Sequence, residues 1–180
     1  MKPIVKIPHP VLYTPAKTVM SFDKKLMTMI ADMKQSLLNA RNPKGVGLAA
    51  PQIGLPWRIF ITRPTEKSAI RVFINPEILS ASPIPKTTHE KDHKLEGCLS
   101  VPKIWGHVRR SDTLTLRYQD EKGELHEEEF SGFMATIIQH ETDHTNGTLF
   151  TMRIIEQKGK FYQIAMDEEG KEVLDEIELR

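Results

Sequence analysis

His140 and His144 lie four residues apart with Glu141 beside the first of them, and this trio is the part of the 180-residue chain best equipped for chemistry. The run reads Gln139-His140-Glu141-Thr142-Asp143-His144, and it follows Gly132-Phe133-Met134-Ala135-Thr136-Ile137-Ile138, an apolar stretch with no breaker inside. On a helix, Phe133, Ile137, His140 or Glu141, and His144 fall along one stripe, so the sequence predicts two imidazoles one turn apart on a buried face. Such a pair can bind one metal ion, and the neighbouring glutamate can serve as base for an activated water. The chemistry this implies is hydrolysis.

A second match to the same pattern, His89-Glu90-Lys91-Asp92-His93, sits in a different context. Residues 86 to 96 are almost all polar, Pro83 and Pro85 lie just upstream, and Gly97 follows. A helix there would have no face to bury, and short isolated helices are marginal in water. The expectation is a solvated loop or edge strand, which leaves the metal to His140 and His144.

Two histidines do not complete a site. In the extended zinc-protease pattern a glycine and a third histidine follow; here Gly147 holds the glycine place, but Phe150 stands where the ligand would be. No histidine occurs after His144, so an acid such as Glu156 or Glu168 is one candidate. Glu96-Gly97-Cys98-Leu99-Ser100 offers another, a lone thiol beside a glycine that lets backbone approach closely. The bland alternative for Cys98 is a small buried hydrophobe. Gly45-Val46-Gly47-Leu48-Ala49-Ala50-Pro51-Gln52-Ile53-Gly54 lacks the spacing of a phosphate or dinucleotide loop. It reads either as a tight connection or as a place where a substrate backbone could meet the amide of Gln52.

These residues need elements to hold them. A first helix is predicted over 21–41, capped by Ser21, with Phe22, Leu26, Ile30, Met33 and Leu37 at helical spacing. Arg58 to Thr62 and Ile70 to Ile74 read as strands, and 113–118 with 124–130 as a hairpin around Asp120-Glu121-Lys122-Gly123. The histidine helix stops at Asn146-Gly147, and a last helix is expected from about Glu168 onward. The sum is one α+β domain over residues 1–180, with strands grouped before a central helix. The net charge of +1 gives no lean toward nucleic acid, and no apolar run is long enough to cross a bilayer. The single cysteine cannot form an intrachain disulfide, and the amino terminus lacks a signal-peptide core. Both features favour a reducing, cytoplasmic setting.

Taken together and in order, GVGLAAPQIG, EGCLS and QHETDH resemble the three signature motifs of peptide deformylases, over residues 45 to 147. The resemblance implies an α+β fold of mostly antiparallel sheets packed around the helix that carries HExxH. It implies removal of the formyl group from the initiator methionine of nascent polypeptides, with N-formylmethionyl peptides as partners and neither a specific nucleic acid nor a membrane. One divalent metal is implied, Fe(II) foremost and Zn(II) as the alternative, held by Cys98, His140 and His144. Glu141 would move the proton, while the Gln52 amide and the Leu99 backbone N–H would stabilise the oxyanion. Val46 and Gly47 would pair with the peptide backbone, and Phe133, Thr136 and Ile137 are candidates to line the methionine pocket.

Thr145 stands where the family usually has leucine, and Trp105 occupies a variable place. From Asp167 to Arg180 seven acids face two bases, so docking of a basic terminal helix on the ribosome is not expected, and any ribosome contact would be transient. The rival readings are a catalytically inactive, peptide-binding relative and a metalloprotease. The intact Gln52, Cys98, Glu141 and histidines count against the first, and the missing downstream ligand counts against the second.

Overall fold

A computed structural model of the protein describes residues 2–40, 45–85, 94–166 and 171–178. Helix α1 (Lys24–Asn39) begins where the Asp23 carboxylate accepts the Leu26 N–H at 3.0 Å. Asp23, not Ser21, is therefore the cap, and the helix starts three residues later than the sequence predicts. Its buried Leu26, Ile30, Met33 and Leu37 form the expected stripe.

The strands divide between two antiparallel sheets. The first orders β1 (Gly47–Ala49), β2 (Ile59–Thr62), β3 (Arg71–Ala81), β6 (Thr113–Gln119) and β7 (Leu125–Ser131) side by side in that sequence. The second orders β4 (Lys94–Cys98), β5 (Val101–Val108), β8 (Phe161–Met166) and β9 (Glu172–Ile177). The predicted hairpin is β6–β7. Its turn is tied by Asp120 Oδ1, which accepts from Lys122 N and Glu124 N, and closed by Gly123 at φ 84°.

Helix α2 (Gly132–Thr145) carries the two histidines and packs on β1, β2, β6 and β7. Its Ala135 and Ile138 join Phe60, Phe73, Leu114, Leu116 and Phe130 in one core cluster. On the other side of the first sheet, α1 packs on Leu48, Ile59, Ile61, Val72 and Ile74. Helix α3 (Phe150–Glu156) lies under the second sheet, where Phe150 and Ile154 pack with Leu12, Val101, Val108 and Phe161. The histidine helix thus meets one sheet through its apolar residues and the other through its polar ones.

Three expectations are corrected. The tail is a strand pair, not a helix: β8 and β9 match residue for residue from Phe161↔Ile177 to Met166↔Glu172. Val173, Leu174 and Ile177 fit helical spacing, but the ladder with β8 satisfies the backbone donors instead. Strands also follow the central helix as well as precede it. Finally, β3 runs on to Ala81, past the predicted end at Ile74. The His89 to His93 match and Glu168 lie outside the described residues.

Candidate metal centre

The ligand atoms of Cys98, His140 and His144 all lie within 4.8 Å of one another. Two elements bring them there. Helix α2 supplies both imidazoles, with ring centroids 5.1 Å apart. Cys98 ends β4 at a register shift between Gly97 and Cys98, and such an irregularity re-aims the side chain that follows it. The thiol is buried, 3.2 Å from His144 Nε2.

His140 is oriented from behind. Its Nδ1 lies 2.9 Å from Glu96 Oε2, which leaves Nε2 for the cluster. Glu96 is itself gripped by Arg110, whose Nε and Nη2 donate to its two oxygens at 2.8 and 2.9 Å. Arg110 also donates to Asp143 at 2.6 Å, and Arg153 of α3 donates to the same carboxylate at 2.6 and 3.1 Å. Burial alone would raise the Glu96 pKa, but the hydrogen bonds from Arg110 and His140 outweigh it and hold the carboxyl at about 2. For the metal-free cluster, burial pulls both imidazoles down. His140 nevertheless ends well above the ordinary value through Cys98 and Glu96, while His144 stays well below it. A proton on His140 sits where a cation would compete.

Glu141 is 4 % exposed, and its Oε2 has no hydrogen-bond partner among the described residues. Burial, with the repulsion of Glu96 adding to it, lifts its pKa to about 7. A divalent cation beside it would draw that value down again. Gly47 lies directly against this carboxyl, and any Cβ at 47 would collide with Oε1. Gln52 is fixed at both ends of its amide: Oε1 accepts from Ala49 N at 2.8 Å, and Nε2 donates toward Cys98 Sγ at 3.3 Å.

These groups open onto one cavity of about 220 Å³. Val46, Gly47, Gln52, Cys98, Leu99, Phe133, Thr136, Ile137, His140 and Glu141 all line it, together with Leu95 and Trp105. His144 lies behind Cys98, 1 % exposed. Phe133 differs from its predicted burial: it is 52 % exposed at the cavity mouth, while Thr136 and Ile137 are buried. Glu156 is remote in role, paired with Arg153 at 2.9 Å on α3. Sequence reasoning gave no part to Arg110 or Asp143. Asp143 lay in plain view inside the motif, but Arg110 is 14 residues from Glu96 and has no local signature.

A thiolate and two imidazoles form a donor set suited to zinc or iron(II), and three protein ligands leave a coordination position open, as in catalytic sites. The buried, unpartnered Glu141 oxygen beside them fits that use.

Comparison with known proteins places the chain among relatives. The sequence profile described as polypeptide deformylase matches residues 1–160. The chain is 36% identical over 182 residues to a peptide deformylase of Brucella suis, covering 97% of this chain and 99% of that one. It is 40% identical over 154 residues to peptide deformylase 1 of Bacillus subtilis, covering 86% and 90%. Among solved structures, the peptide deformylase of Thermus thermophilus superposes with a TM-score of 0.77 at 34% identity, over 88% of each chain. A Met-Ala-Ser-bound peptide deformylase of Acinetobacter baumannii gives 0.75 at 35% identity, over 86% and 98%.

Proposed function

The chain belongs to the polypeptide deformylase family, and from that premise we propose that Cys98, His140, His144 and Glu141 perform its reaction, hydrolysis of the formyl group from the initiator methionine of nascent polypeptides. The observation that carries this assignment is the convergence of three metal-ligand atoms within 4.8 Å beside a buried carboxyl. A divalent cation held by the three ligands would supply Lewis-acid polarisation of the formyl carbonyl and activation of water, with Fe(II) the first candidate and Zn(II) the second.

The chain's own residues do the rest. Glu141 takes a proton from the attacking water and returns it to the leaving amine, a contribution of roughly 100- to 10,000-fold. Gln52 Nε2, aimed into the site by the Ala49 N–H at the other end of its amide, donates to the oxygen on which negative charge grows. The Leu99 N–H is the second donor; losing one such donor costs roughly 3 to 4 kcal/mol of barrier. Val46 and Gly47 pair with the peptide backbone, which gives affinity without reading side chains. Phe133, Thr136 and Ile137 line the methionine pocket. The formyl carbon carries only hydrogen, so a tight site admits it and excludes larger acyl groups.

A peptide such as Met-Ala-Ser is the expected product ligand, by analogy with the Acinetobacter baumannii relative. Residues 1–180 act as one catalytic domain in the cytoplasm. The acidic tail disfavours docking on ribosomal RNA, so any ribosome contact is transient. Formate release from formyl-Met-Ala-Ser by anaerobically purified protein, measured beside Glu141→Ala with metal content determined on both, tests the assignment. Activity in the parent and its loss in a variant that keeps its metal are expected. No formate from a metal-loaded parent would favour a peptide-binding protein without activity.

A further inference from the structure

The outer face of the second sheet carries an apolar strip that starts at the rim of the metal-centre cavity. The register places Gly97 opposite Trp105, Trp105 opposite Tyr162, and Ile164 opposite Leu174. Side chains alternate along each strand, so Leu95, Trp105, Tyr162, Ile164, Met166 and Leu174 all stand on this one face. The opposite face, with Val108 and Phe161, packs on the core. Leu95 and Trp105 line the cavity, while Ile164, Leu174 and Met166 are 46%, 43% and 66% exposed. The strip crosses all four strands, roughly 14 Å at about 4.8 Å per strand spacing, a distance an extended peptide covers in about four to five residues.

A cavity of about 220 Å³ accommodates a methionine side chain and little more, whereas the substrate of the proposed reaction is a growing polypeptide. The residues beyond the first few must lie on surface continuous with the rim. The β8–β9 hairpin offers such a surface: among the described residues β8 pairs with β5 through Phe161 and Tyr162, and it continues past them to Met166 paired with β9. Glu172 and Glu176 share the apolar face; Lys160 compensates Glu176 at 2.7 Å, so Glu172, beside Met166, is the carboxylate that would repel an acidic occupant.

Resting on the deformylase reading above, we infer that this strip binds an apolar, acid-free segment of the nascent chain a few residues downstream of the formylmethionine. It is an extension of the substrate site that discriminates between long substrates. A peptide with leucine, valine or phenylalanine in that segment, and lysine rather than glutamate beside it, is the occupant the face fits.

The test uses the metal-loaded enzyme and three substrates: formyl-Met-Ala-Ser, the same peptide extended by Gly-Ser repeats, and the same peptide extended by Leu-Val-Phe-Leu-Lys. The apolar extension is expected to raise kcat/KM by about tenfold over the Gly-Ser extension, mostly through KM. The double variant Ile164→Ser, Leu174→Ser should erase that preference while leaving the rate on formyl-Met-Ala-Ser within about twofold. Equal kcat/KM for the two long peptides on the parent enzyme overturns the inference whatever the variant does. So does a preference that survives in the variant, or a parent dimer in sedimentation that the variant dissolves, since the strip would then belong to a second copy. Failure of the parent on formyl-Met-Ala-Ser sinks the deformylase assignment instead, which keeps the two failures apart.

Discussion

Arg110 is the residue on which the metal centre's geometry leans without touching a ligand atom. It donates to Glu96, which orients His140, and to Asp143, one residue before His144, with its own side chain only 7% exposed. Buried ion pairs gain little over apolar packing, but removing one partner strands the other in low dielectric. Arg110→Leu is therefore expected to cost on the order of 3 to 5 kcal/mol in the metal-free protein at neutral pH, read from denaturant unfolding. Glu96 titrates at about 2 in the folded chain against an ordinary 4.5, so its stabilisation is present above 4.5 and is lost as pH falls toward 2. The gap between parent and variant should narrow over that window. A gap that stays constant with pH would remove Glu96 from the account. At this scale the motifs were legible because catalytic types cluster in short runs. The salt-bridge partner was not, because an arginine 14 residues away carries no mark of where its guanidinium goes.

Helix α2 converts sequence spacing into a site. Its first turn faces the cavity through Phe133 and Thr136, its middle delivers His140 and Glu141, and its last turn buries His144. Phe133→Ala is expected to raise KM for formyl-Met peptides more than for formyl-Ala peptides, by up to about tenfold if one aromatic wall is lost. Equal effects on both substrates would deny the residue a place in the pocket. Thr145 is fully buried and donates its hydroxyl to the Thr142 carbonyl at 2.8 Å. This buried hydroxyl thus finds a partner inside its own helix. The period of the apolar residues foretold α1 and α2, whereas β1 and β5 were missed and β4 was offered only as the edge-strand alternative to a loop. Their sequences do not alternate, since both the short strand at Gly47–Ala49 and the bulged strand into Cys98 are shaped by what they pair with.

Across the whole molecule, the candidate metal ligands come from two layers, Cys98 from the second sheet and His140 and His144 from the helix packed on the first. A metal ion held there would join two layers of the fold, and whatever binds only the folded state stabilises it. Chelation is expected to lower the Tm by several degrees, since a ligand at about 100 times its Kd contributes about 2.7 kcal/mol. Readdition should restore it, and an unchanged Tm would mean that the cluster holds no ion in solution. No helix among the described residues is long and apolar enough to cross a membrane.

The amino-acid sequence by itself determined the histidine helix, the ordered trio of motifs and the family, because each depends on neighbours a few residues apart. The resemblance had already put Cys98 beside the histidines as a ligand, but only the tertiary structure brings it to His144, across 46 positions of chain by way of a strand bulge. It also decided the tail. From residue 161 onward neither helical nor strand periodicity dominates, and pairing between β8 and β9 supplies the hydrogen bonds that settle the choice. Contacts between distant segments reward a conformation that local preference leaves open, and both the metal centre and the hairpin beside it are built from such contacts.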